Sequence, residues 1–163
     1  MTHTGIAGLT LGGGSGWLER KLGFTVDNLC GREVAVTKGS IQATKRLPEL
    51  SKSQCEDQGK PAIEGIILPS VQDAMTQLSS GRIKAIYYDT PALGWAATQQ
   101  PDRFEVLSPQ VNESTVAVAL PKGSALTPAV HAAIQSIMGS PEYQEALGRW
   151  GFDGLGITDA KLH

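Results

Sequence analysis

Leu29-Cys30-Gly31-Arg32-Glu33-Val34-Ala35-Val36-Thr37-Lys38-Gly39-Ser40-Ile41-Gln42 decides the reading of this chain. Val34, Ala35 and Val36 form a short apolar, partly β-branched run of the kind that fills a covered strand. Gly39 lets the backbone turn and approach a ligand closely. Ser40 is a good N-cap for a following helix. Two readings stand. One is a plain strand-to-helix turn with a capping serine. The other is a small anion site made from that hydroxyl and the first N–H groups of the helix.

Downstream, strand and helix signals alternate. Residues 40–51 are expected to be helical, with Ile41, Ala43, Leu47 and Leu50 inward. Ile63 to Leu68 reads as a strand closed by Pro69. Ser70 then caps a helix in which Val71, Ala74, Met75 and Leu78 fall at i, i+3, i+4 and i+7, and Gly81 stops it. Ile83 to Tyr88 is the next strand, with Asp89 at its carboxyl end. Thr90 and Pro91 open a helix reaching about Gln99. Two further strands are expected at Phe104–Leu107 and Thr115–Leu120. Two tail helices come after them. Val130, Ile134 and Ile137 form the apolar face of the first. Tyr143, Leu147 and Trp150 form that of the second. This order predicts an α/β fold with a mainly parallel sheet flanked by helices.

The 163 residues suffice for a real core, and 40% of them are hydrophobic against 18% charged, a globular balance. A net charge of −2, with no long basic run, gives nucleic acid no electrostatic footprint. The N-terminus lacks the order of a signal peptide. Cys30 and Cys55 are compatible with one disulfide or with two free thiols, and without clustered histidines they make no zinc site. His3 and His163 lie at the chain ends, and His131 falls on the first tail helix. No catalytic set, metal site or cofactor site is expected from these residues.

The start of the chain is different in character. Thr4 to Leu11 is strand-like. Gly12-Gly13-Gly14-Ser15-Gly16 then reads either as a linker, natural or engineered, or as a loose phosphate-cradling loop without the Gly-Lys-Ser/Thr of a P-loop. Thr25 to Leu29 leads into the first clear strand.

In an open α/β sheet, ligands bind beyond the carboxyl ends of the strands. Two such ends carry chemistry here, Thr37-Lys38-Gly39-Ser40 and Tyr88-Asp89-Thr90. Asp89 alone reads more readily as a carboxylate at a helix approach than as a ligand contact. Side by side, a hydroxyl with free N–H groups and a carboxylate suit the two ends of a zwitterion.

The segment from Leu29 to Ser40 resembles the "LxGkxVaVxxGT" motif of bacterial extracellular solute-binding proteins of family 3, the polar amino-acid receptors of ABC importers. Further segments resemble that family in the same order: Leu78 to Ala85, Tyr88 to Pro91, Thr115 to Ser124, and Ser140 to Gly151. Lys84 stands where the family usually has an aspartate. The resemblance covers residues 25–152 and implies a single lobe of a type II periplasmic-binding-protein fold. It divides the chain into a residual hinge strand and Gly/Ser linker (1–24), the ligand-binding second lobe (25–121), and C-terminal helices that return towards a first lobe (122–163).

The resemblance also implies roles. Ser40, with Gly39 and the N–H groups of Ile41 and Gln42, would hold an α-carboxylate. Asp89 would hold the α-ammonium, and Thr37 would face the side chain. Cys30 and Cys55 would be a disulfide, in a periplasmic or extracellular protein. The expected partners are a polar amino acid and, in a full-length parent, an ABC-transporter permease. The first lobe's carboxylate-clamping arginine has no counterpart, which implies a truncated or engineered fragment with an incomplete site. The apolar faces of the tail helices imply self-association. The alternative is a cyclic-acid dehydratase of the same fold, for which Glu64 and Asp73 are the candidate acids.

Overall fold

A computed structural model describes residues 3–25, 28–152 and 156–162, with side chains at 3–14 and 108–117 outside the description. The expectations for Val26, Asp27, the 153–155 segment and His163 therefore lie outside the described residues, as do those for the side chains of His3, Thr4 to Leu11 and Thr115 to Ala117. The chain divides into two compact units, Ser15–Val111 on one hand and Met1–Gly14 with Asn112–His163 on the other.

In the Ser15–Val111 unit, the strands are β1 (His3–Glu19, entering from the other unit), β2 (Glu33–Thr37), β3 (Glu64–Leu68), β4 (Ala85–Asp89) and the first part of β5 (Glu105–Pro121). Their order in the sheet is β3-β2-β4-β1-β5. β2 is parallel to both β3 and β4, whereas β1 runs antiparallel to β4. The sheet is therefore mixed. The sequence showed the parallel core, but the antiparallel strand sits in the stretch that read as linker. Ser15 and Gly16 do not form a flexible tether. They pair with Asp89 and Tyr88 in register.

Alternation along the strands covers both faces. Trp17, Val34, Val36, Ala85 and Tyr87 face one cluster with Leu29, Leu47, Cys55 and Ile63. Leu18, Ala35 and Ile86 face the other, with Ala74, Leu78, Leu93 and Phe104. The first cluster is covered by α1 (Leu47–Gln54) and the loop closed by the Cys30–Cys55 disulfide. The second is covered by α2 (Val71–Ser80) and α3 (Thr90–Gln99). α2 forms as its sequence dictates: Ser70 Oγ accepts from Asp73 N–H, and Gly81 ends the helix at φ 80°.

A π-helical turn, Gln42–Arg46, precedes α1 and is closed by Leu47 N–H donating to Gln42 O. It adds a residue to the turn and so shifts the helix faces out of α-helical phase. Ile41, expected inward, is 50% exposed, while Gln42 is buried; Ala43, Leu47 and Leu50 face the core as expected. The two expected strands after Phe104 are one strand, β5.

In the other unit, α4 (Thr127–Met138) and α5 (Pro141–Arg149) share a cluster. Ile134, Met138, Tyr143, Leu147 and Ala160 form its buried part, with Val118, Leu120, Val130, Phe152 and Ile157 packed against it. Ile137 and Trp150, expected on the apolar faces, are 50% and 47% exposed. His131 Nε2 lies 2.7 Å from Ala160 O. The short strand β6 (Lys161–Leu162) pairs with β1 at Ile6 and Ala7.

Candidate functional site

β2 and β4 are parallel neighbours, with Val34 opposite Ala85 and Ala35 opposite Ile86. Their carboxyl ends therefore lie on the same edge of the sheet. Thr37, Gly39 and Ser40 mark one end, and Asp89 closes the other. Gly39 sits at φ 75°, the left-handed region that a side chain disfavours.

Ser40 acts inside the chain. Its Oγ donates to Thr37 O at 2.8 Å and accepts from Ala43 N–H at 3.1 Å, the pattern of a capping serine. Its hydroxyl proton is thus engaged, and what the turn offers an anion is the first N–H groups of the helix.

Asp89 is exposed on its strand end. Gln42 Nε2 donates to Asp89 Oδ1 at 2.7 Å and to Ser15 Oγ at 3.1 Å. Arg46 Nη1 donates to the same Ser15 Oγ at 2.5 Å. Ser15 and Gln42 are buried, and Arg46 is half-buried. Among the described residues the single ion pair is Arg149 with Glu145. Asp89 and Arg46 are therefore bridged only through a neutral amide and a neutral hydroxyl.

Ser15 reaches this point because β1 places it directly opposite Asp89. At Gly16, beside it, a Cβ would crowd Thr90 Oγ1 at 3.0 Å. That threonine hydroxyl is buried without a hydrogen-bond partner among the described residues.

The structure brings Gln42 and Asp89 into direct contact and sets Ser40 one helix start away. Thr37 and Ile41 make no side-chain hydrogen bond among those described. Ser15 and Arg46 were missed by sequence reasoning. Ser15 sat in a glycine run that signals a linker. The signal for Arg46 was its place four residues after Gln42, which puts both side chains on one face of a helical turn.

The candidate acids of the dehydratase alternative fall elsewhere. Glu64 opens β3, at the amino end of the strand, and is exposed. Asp73 is exposed in the first turn of α2, where it accepts from Ser70 Oγ at 2.6 Å. A cleft of about 380 Å³ between α2 and α3, lined by Val71, Gln72, Met75, Ala92, Trp95 and Ala96, shares no residue with the site. Among the described residues no three His, Cys, Asp or Glu side chains could together hold a metal ion. No helix among the described residues is long and apolar enough to cross a membrane.

Cys30 and Cys55 are bonded, with Cα atoms 5.6 Å apart. Glu19, at the end of β1, is buried and accepts from the N–H groups of Leu22, Gly23 and Phe24. Burial pushes its carboxyl above the ordinary value of 4.5. A hydrogen bond with the Glu105 side chain pushes the same way, and the backbone donors oppose both.

No protein-family model matches the chain. The chain is 32% identical over 144 residues to the arginine-binding protein ArgT of Corynebacterium glutamicum, covering 88% of this chain and 47% of that protein. It thus spans about half the length of this relative. A shorter match, 55% identical over 42 residues, is to an FAD-linked oxidoreductase of Dictyostelium discoideum and covers 26% of this chain and 9% of that protein. Among solved structures, the substrate-binding protein of a polar amino-acid ABC uptake transporter from Streptococcus thermophilus matches with a TM-score of 0.72 at 15% identity, over 93% of this chain and 58% of that one. The chain has the α/β architecture of the type II periplasmic-binding-protein fold, and in sequence it resembles the extracellular solute-binding proteins of family 3.

Proposed function

We propose that the chain is the amino-acid-binding lobe, with the C-terminal helices, of an extracytoplasmic solute-binding protein. In its parent it delivers a polar amino acid to the permease of an ABC importer. Residues 1–24 then correspond to the hinge approach, 25–121 to the second lobe and 122–163 to the returning helices.

One observation carries this reading. Asp89, exposed and without a cation partner among the described residues, ends a strand whose parallel neighbour leads through Gly39 and Ser40 into a helix start. An ammonium fits the carboxylate, and a carboxylate fits the helix N–H groups. The solute-binding relatives support the substrate class. The disulfide fits an oxidising compartment.

The test is titration of the 163-residue chain with the twenty amino acids, monitored by calorimetry and by NMR. Weak binding of one or a few polar amino acids is expected, lost in Asp89→Asn. Binding that survives Asp89→Asn sinks the assignment of the ammonium site. Self-association through α4 and α5 belongs to the same proposal, with the exposed Ile137 at its centre. A monomer by light scattering at high concentration counts against that part.

A further inference from the structure

We propose that Arg46 is a ligand-binding residue. In this reading it receives the carboxylate of the molecule whose ammonium sits on Asp89, and Gln42 and Ser15 hold the two charges apart until the ligand takes their place. The inference rests on the amino-acid reading above and names a second charged contact within the same lobe.

Arg46 is half-buried, and its one described hydrogen bond goes to a neutral hydroxyl, Ser15 Oγ. A guanidinium carries five N–H donors in a planar fork suited to a carboxylate. No carboxylate lies within ion-pair distance of it among the described residues. Asp89 is its mirror image, a carboxylate whose described partner is a neutral amide at 2.7 Å. The path between the charges crosses only Ser15 Oγ and Gln42 Nε2, in three short hydrogen bonds. That span suits an α-amino acid, whose ammonium and carboxylate would bond one charge each.

Ser40 strengthens the assignment. Its hydroxyl proton is committed to Thr37 O, so the helix start offers an anion backbone N–H groups alone. Arg46 offers a full charge. Gln42 presents its NH₂ group to Asp89 where an ammonium would stand, and so acts as an internal substitute for the ligand.

The experiment titrates the ¹⁵N-labelled chain by NMR, into the millimolar range, with L-arginine and L-glutamine and with the α-carboxamide of each. The wild-type chain is expected to favour the free acid over its carboxamide by about tenfold or more, the scale of a charge-assisted hydrogen bond. In Arg46→Gln this preference should fall to within about twofold, with carboxamide affinity little changed. Arg46→Lys should keep part of the preference, which also guards against a merely misfolded first variant. Gln42→Ala should raise affinity severalfold.

An Arg46→Gln chain that still prefers the free acid overturns the role of Arg46 and leaves the amino-acid reading standing. Unchanged or weaker binding by Gln42→Ala overturns the substitute role of that amide. A wild-type chain that binds no amino acid at all overturns both the reading and the inference built on it.

Discussion

Trp17 stacks on Tyr87 across the antiparallel β1–β4 pair, with ring centroids 4.3 Å apart and planes 20° from parallel. The two are Cα partners in register, and both are fully buried. Trp17 Nε1 is buried without a hydrogen-bond partner among the described residues. The contact therefore combines a large apolar gain with one unmet donor. Trp17→Phe removes that donor and keeps a stackable ring, so its cost in urea unfolding is expected to stay within about 1 kcal/mol. Trp17→Ala is expected to cost about 3–5 kcal/mol. Equal losses for the two variants would show that a phenyl ring does not replace the stack on Tyr87.

The Cys30–Cys55 bond closes a loop with a sequence separation of 25. It ties the approach to β2 to the end of α1. Reduction, or the double change to alanine, is expected to lower stability by about 3 kcal/mol. Paired denaturant melts with and without reductant measure this, and coincident midpoints would refute it.

Gly81 caps α2 at φ 80°, and a Cβ there would stand 2.6 Å from Arg20 Nη1. The arginine tip can move, so the lasting cost is the backbone conformation. Gly81→Ala should destabilise by about 1–2 kcal/mol. Gly81→Asn should cost less, because asparagine tolerates the left-handed region better. The order of the two thermal midpoints decides the point.

Glu19 gives a pH signature. Its carboxyl is raised in the folded chain, first by burial and then by Glu105. The folded state therefore holds its proton to higher pH than the unfolded state does. The stabilisation is full below about pH 4.5, the ordinary value, and is lost as pH rises through the folded value. Glu19→Gln keeps an acceptor for the 22–24 backbone and a donor for Glu105. Its stability should fall less than that of wild type between pH 4.5 and 7. Parallel profiles in urea would remove Glu19 as the cause.

Local signals made α2 legible. A capping Ser70, a stripe at helical spacing and Gly81 all point the same way, and no tertiary contact overrides them. The parallel strands β2 and β4 were legible because burial on both faces leaves short apolar runs, and β3, exposed along most of its length, because its apolar run ends at Pro69. The carboxyl-end positions of Ser40 and Asp89 came with those strands. Strand β1 was not legible at Ser15 and Gly16, since glycine and serine signal flexibility and the pairing that orders them lies some seventy positions away, at Tyr88 and Asp89. Of the inward residues expected for the first helix, Ala43, Leu47 and Leu50 face the core and Ile41 does not. Periodicity assumes 3.6 residues per turn, and the turn at Gln42–Arg46 does not keep it.

That turn also separates two things within one continuous coil. A π turn arises when a single residue is added to an α-helix. Losing one codon between Gln42 and Arg46 would restore a regular helix and leave the buried Leu47 and the Cys30–Cys55 staple in place. It would also remove the Gln42–Arg46 spacing on which the shared contact to Ser15 depends. The joint hold of Gln42 and Arg46 on Ser15 is thus one that the shortest possible insertion or deletion makes or removes, with the core kept on either side of the event.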